Sequence, residues 1–197
     1  MPDVPQLPFL SQRDFSSTRR VSYVPAQVKS SWSNPKTIQV TAVTDGDGLQ
    51  GSYADGSGAV ICRITGIDAP ETAKSFRRDA QGRSDPGQRY GAFGAQTLER
   101  LIKDKKVEVQ VSLLPEDKKY GRDLCLVTIN GDNLSNAMVE AGAAYVYQWY
   151  VKPELTDALN ASEQNARRRR VGVWENPQEE RPWDYRNRTR GTYTTEP

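Results

Sequence analysis

The chain has 197 residues, 36% of them hydrophobic and 26% charged, with a formal net charge of +2 and a mean hydropathy of −0.74. This suits one polar domain with extensions, long enough to bury a core, and excludes a membrane-spanning helix because no apolar run approaches ~20 residues. There is no histidine, which removes Ser-His-Asp and Cys-His nucleophiles, HExxH zinc sites and histidine-based phosphodiesterases or ribonucleases together. Any chemistry falls to carboxylates, guanidinium groups and a metal ion.

Residues 1–36 carry Pro2, Pro5, Pro8, Pro25 and Pro35 and five basic against two acidic side chains. That composition reads as a flexible basic arm with no helical or strand period. Ile38, Val40 and Val43 open a strand, turned at Asp45-Gly46-Asp47-Gly48. A second strand is expected over Leu49–Tyr53 and a third over Ala59–Ile67, separated by the Asp55-Gly56-Ser57-Gly58 turn. Residues 72–86 are charged and interrupted by glycine and proline, which predicts a surface loop. Apolar spacing predicts a helix over Gly87–Ile102, and alternation predicts strands over Lys106–Leu113 and Asp123–Ile129. Ser135 is the expected cap of a short helix that reaches Glu140 and stops at Gly142. Ala143–Tyr150 reads as extended, Glu154–Arg170 as a helix, and 175–197 as a polar tail that Trp174, Pro182-Trp183 and Tyr185-Arg186 pin in part to the domain.

Five short strands with one helix between the third and fourth fit a mainly β, α+β fold. The expected architecture is a five-stranded OB-fold Greek-key barrel with three helices, over residues 37–174. Fold alone does not give function. Arg63 stands in an otherwise apolar strand, where an unpaired guanidinium is costly, so a carboxylate or phosphate partner is expected. Cys62 alternates with Arg63 and should face the core, as should Cys125; these read as buried thiols that pair only if the fold brings them together. The Arg167–Arg170 run surrounds a helix end and fits the helix dipole and solvent.

Several segments, taken in order, resemble the staphylococcal nuclease family. They are Asp45-Gly46-Asp47, Arg63-Ile64-Thr65-Gly66-Ile67-Asp68-Ala69-Pro70-Glu71 and Tyr120-Gly121-Arg122-x-Leu124. With them come the Asn136 to Ala144 segment, the Ser162-Glu163-x-x-Ala166-Arg167 helix and Gly172-Val173-Trp174. The resemblance implies a calcium-dependent nuclease that cleaves DNA and RNA with little base specificity and leaves 3′-phosphorylated products. It implies Ca2+ on the carboxylates of Asp47 and Asp68 and the carbonyl of Ala69; Asp45, within the turn, reads as a structural or outer carboxylate. It assigns Arg63 and Arg122 to the phosphoryl oxygens, Glu71 to the attacking water, and Lys119 and Tyr120 to a terminal phosphate. A base-stacking position falls on Tyr150 or on Trp149. The chain departs from the family pattern at Gly48 and Ala69, where threonine is usual.

The chemistry asks for these residue types. Phosphodiester hydrolysis builds negative charge on the phosphoryl oxygens, which two planar guanidinium forks and a hard divalent ion neutralise without reorganising. The alternative is a non-catalytic nucleic-acid- or protein-binding module of the same fold, which would typically lack these arginines and acids. A monomer is expected. The N-terminal residues show no secretory pattern, which favours a cytoplasmic placement over a secreted one.

Overall fold

The structure is a computed structural model that describes residues 31–114, 118, 121–192 and 194–195. The expected arm lies outside the described residues as far as residue 30. From there the chain is already packed: Trp32 is buried in the core and its indole N–H donates to Glu154 Oε1 at 3.1 Å.

The strands β1 (Lys36–Asp45), β2 (Gly48–Tyr53) and β3 (Ala59–Ile64) form an antiparallel meander. A two-residue strand β4 (Ile67–Asp68) follows, then β5 (Lys74–Arg78) and β6 (Ser84–Asp85). Helix α1 (Gly91–Ile102) leads to β7 (Val107–Val111), β8 (Asp123–Ile129) and the short β9 (Asp132–Asn133). Then come α2 (Leu134–Glu140), β10 (Tyr145–Val146), α3 (Thr156–Arg169), α4 (Pro182–Thr189) and β11 (Thr194–Thr195).

In the main sheet the order is β3-β2-β1-β7-β8-β9, and a parallel pairing of β3 with β8 closes it into a five-stranded barrel. The expected OB-type barrel is therefore present. It closes because each strand has one apolar side to hide: Ile38, Leu49, Val60, Cys62, Ile64, Val107, Val109, Cys125 and Val127 are all buried. Removing such side chains from water stabilises the fold by roughly 1.5–3 kcal/mol for each large aliphatic group. On α3, Leu159 and Ala166 are fully buried, and α2 packs between α3 and the barrel.

Several local expectations are corrected. Residues 72–86 are not a plain loop: β5 and β6 pair, and β11 adds to the other edge of β5. Ion pairs from Arg77 to Asp85 and from Arg83 to Asp79 hold this polar hairpin, so it shows no hydrophobic period. The cap of α2 is Asn133, whose side chain accepts from Asn136 N at 3.2 Å; the Ser135 hydroxyl instead donates to the Thr65 carbonyl at 2.8 Å. Only Tyr145–Val146 of the expected 143–150 extension is a strand, because Tyr150 N turns back to Tyr147 O at 3.0 Å. A fourth helix, α4, stands within the expected polar tail.

Gly142 and Gly172 meet where α2 ends and the chain turns after α3, at φ 65° and 55°. A Cβ on either would lie 2.2 Å from a backbone oxygen of the other segment, so only glycine fits there.

Cys62 and Cys125 are joined in a disulfide across the β3–β8 seam, with both residues fully buried. The bond closes a sequence separation of 63 residues. A Cys62→Ala/Cys125→Ala double variant should therefore lose about 2–4 kcal/mol of unfolding free energy. Urea denaturation with an unchanged midpoint would show that the strand pairing alone closes the barrel.

Candidate active site

The Asp45-Gly46-Asp47 segment turns β1 into β2, and the register places Gly48 opposite Arg63 on β3. The Asp47 carbonyl accepts Ile64 N–H at 2.8 Å, and Asp45 Oδ1 accepts Asp47 N–H at 3.3 Å. The turn fits because Gly46 has no side chain: a Cβ there would lie 2.6 Å from Ala69 Cβ and 3.1 Å from the Gly94 backbone on α1. At Gly48, where the departure falls, a Cβ would lie 2.4 Å from Thr44 Oγ1 and 2.8 Å from Asp45 Oδ1, both side-chain ends that can rotate.

Arg63 is the hinge of the site. Its Nη1 pairs with Asp47 Oδ2 at 2.7 Å and its Nη2 with Asp68 Oδ1 at 2.9 Å. Asp68 is fully buried on β4, and Asp47 is 5% exposed. Ala69 N–H donates to Asp47 Oδ2 at 2.8 Å, which ties the segment after β4 to the turn. The ring of Tyr150 lies 5.5 Å from the Arg63 guanidinium carbon, close enough for a cation–π contact.

Glu71 is held by its backbone: its N–H donates to Gln88 Oε1 at 3.0 Å and its carbonyl accepts Gln88 N–H at 2.8 Å. Its carboxylate meets Lys74 Nζ at 3.3 Å and Arg186 Nη1 at 2.9 Å. Arg186, on α4, also reaches Asp68, with Nη1 3.1 Å from Oδ1 and Nη2 2.7 Å from Oδ2.

Arg122 immediately precedes β8 and is half-buried. It stands two residues before Leu124, the register partner of Arg63, so strand alternation turns both arginines to one side of the sheet. It forms no ion pair with another described residue. Lys119 and Tyr120 lie outside the described residues. Trp149 is 85% exposed, whereas Tyr150 is half-buried beside Arg63.

Asp47, Arg63, Asp68, Ala69, Glu71 and Tyr150 thus come together. Sequence reasoning placed Arg186 only among the residues that pin the tail and gave neither it nor Lys74 a place in the site. The one signal for Arg186 was the aromatic spacing Trp183-x-Tyr185 in a polar tail, which marks a segment that packs. Trp183 stacks on Tyr147 at 5.4 Å, and Tyr185 is buried with its hydroxyl donating to Asp85.

The electrostatics follow from this crowding. Burial pushes the Asp47 carboxyl well above its ordinary value; the Arg63 charge opposes that, and the Asp45 and Asp68 carboxylates reinforce it. Partial burial works against the charge on Arg186, yet its hydrogen bonds to Asp68 and Glu71 raise it above the ordinary guanidinium value. Burial, followed by the Asp68 charge, raises the Tyr147 phenol.

Could these groups hold a metal ion? Two buried carboxylates and a backbone carbonyl are hard oxygen donors, the type that Ca2+ takes. Among the described residues no three acidic or cysteine side chains converge as a ready-made cage. Both oxygens of Asp68 already accept from guanidinium groups. The donor set fits a hard cation, provided Arg186 gives up its place on Asp68.

A closed OB-type barrel that carries two buried acids and a buried arginine beside its first turn defines an OB-fold domain with a compact charged site. The chain belongs to the family of staphylococcal nuclease homologues, whose profile matches residues 61–176. It is 30% identical over 158 residues to a micrococcal nuclease of Shigella flexneri, covering 75% of this chain and 79% of that protein. It is 30% identical over 151 residues to an uncharacterized endonuclease of Escherichia coli O157:H7, covering 76% and 84%. A third relative, endonuclease Htp3 of Saprolegnia parasitica, is 29% identical over 198 residues, with 90% and 87% covered.

The tight seat of the turn gives a prediction. Gly46→Ala should lower stability by about 1–3 kcal/mol, because the added methyl overpacks against Ala69 and α1. An unaltered urea midpoint would mean that the turn is free to shift.

Proposed function

We propose that the protein is a calcium-dependent nuclease that hydrolyses phosphodiester bonds of DNA and RNA with little base preference and leaves 3′-phosphates. The observation that carries this reading is the meeting of Arg63, Asp47, Asp68 and Glu71 at one place, from segments up to 24 residues apart in a family of nuclease homologues.

A divalent ion held by Asp47, Asp68 and the Ala69 carbonyl would supply charge that neutralises the phosphoryl oxygens. Arg63 binds one of those oxygens through the N–H groups that Asp47 and Asp68 leave unused, and these two acids keep its fork from turning. Arg122, on the same side of the sheet and without an ion pair among the described residues, reaches the phosphoryl group from just before β8. Glu71 orients the attacking water and takes its proton as the new P–O bond forms. The P–O5′ bond then breaks, the phosphate stays on the 3′ side, and the leaving oxygen takes a proton from solvent. A carboxylate is a much weaker base than hydroxide, so Glu71 accepts the proton late, once phosphorus has withdrawn charge from the water.

Tyr150 offers a face for a base next to Arg63, and Lys119 and Tyr120 contact a terminal phosphate. Contacts to phosphate rather than to base edges account for the weak base preference. Every side chain with a role comes from one chain, so a monomer suffices.

Glu71→Gln and Arg122→Ala should each reduce kcat by about 10²-fold or more with unchanged circular dichroism. Arg63→Ala is a poorer test, since it leaves two buried carboxylates without a partner and should cost about 3–5 kcal/mol of stability. Plasmid DNA and a structured RNA, incubated with calcium, magnesium or chelator, provide the assay. Undiminished cleavage by Glu71→Gln would remove Glu71 from the reaction, and undiminished cleavage in chelator would remove the cation.

A further inference from the structure

Arg186 lies ten residues beyond the stretch matched by the family profile, yet it touches two of the acids at the centre of the site. Arg63 engages Asp68 only through Oδ1. The other oxygen, Oδ2, accepts from Arg186 Nη2 at 2.7 Å, and Glu71 Oε1 accepts from Arg186 Nη1 at 2.9 Å. A cation that uses Asp68 Oδ2 and Arg186 therefore compete for the same lone pairs. Asp68 is fully buried, so leaving that carboxylate short of a cationic partner would be costly.

We propose that Arg186 is the site's internal cation: it neutralises Asp68 and Glu71 when no metal ion is bound, and a metal ion must displace it in order to bind. This rests on reading the site as a hard-cation centre. The exchange is a swing of one side chain, not a departure of the helix. Helix α4 is fixed by other contacts: Trp183 stacks on Tyr147, Tyr185 is buried against Asp85, and Arg181 just before the helix lies 4.3 Å from the Tyr145 ring and 4.6 Å from that of Trp174. Among the charged side chains here, Arg186 is 39% exposed, against 9% for Arg63, 7% for Asp47, 16% for Glu71 and none for Asp68. It is the most exposed of these side chains, ahead of Lys74 at 19%. The same swing releases Glu71 Oε1, while Lys74 keeps its 3.3 Å pairing with Oε2, so ion binding and the freeing of that one oxygen are one event. Because α4 stays docked, the guanidinium remains close by and returns when the ion leaves.

Only the fraction of molecules with Arg186 swung out can take the ion, which weakens the apparent affinity by that fraction. Calorimetric titration of the full chain with Ca2+ tests this directly, without reference to catalysis. Arg186→Ala and Arg186→Met should bind Ca2+ about tenfold or more tightly than the unaltered chain, equivalent to about 1.4 kcal/mol per tenfold. Arg186→Lys, which keeps the charge but not the two-pronged grip, should fall between, and serves as the test if the truncated variants do not melt as folded proteins. Equal or weaker affinity in the folded variants overturns the inference and leaves the cation reading standing. If neither the unaltered chain nor any variant binds Ca2+, the cation reading fails and the inference fails with it.

Discussion

One guanidinium bridging two buried carboxylates organises this molecule. Arg63 projects from β3 and grips Asp47 from the first turn and Asp68 from β4 with separate nitrogens. Such a triad is expensive to desolvate and holds only when geometry is good and the remaining lone pairs are met. Here Ala69 N–H adds a second donor to Asp47 Oδ2, and Arg186 takes Asp68 Oδ2, the oxygen that Arg63 leaves. The packing serves the same end, since the absence of a side chain at Gly46 lets the turn sit against Ala69 and α1. The barrel thus brings one turn and two strands to one point, and the charges fix their relative position.

Much of this was legible in the sequence where burial imposes a period. The strands β1 to β3, β7 and β8 each hide one side, so alternation located them. Arg63 stood out because a charge in an apolar strand demands a partner, and it has two. What escaped detection lacks such a period or depends on distant residues. The β5–β6 hairpin is held by ion pairs among polar side chains, which look like any solvated loop. Ser135 was a plausible cap until the fold set the Thr65 carbonyl beside its hydroxyl. Arg186 meets Asp68 across 118 positions, a separation over which a sequence pattern says nothing about contact.

The segment after α3 also changes the character of the site. Trp183, Tyr147 and Tyr150 set adjoining aromatic rings beside Arg63, with Tyr147 in contact with both of the others. These rings limit water around the charged groups, and lower water content strengthens every ion pair there. Helix α4 therefore supplies both an arginine and part of the wall, although it lies outside the stretch that defines the family.

The sulfur bridge at the barrel seam has a kinetic meaning. Exchange requires a thiolate to approach one sulfur in line with the bond, and neither Cys62 nor Cys125 shows any surface to solvent. A soluble reductant can act only after β3 and β8 separate, so the speed of its attack becomes a clock for that opening. The strands that the bridge joins also carry or adjoin Arg63 and Arg122, so the clock times how often the two arginines part company.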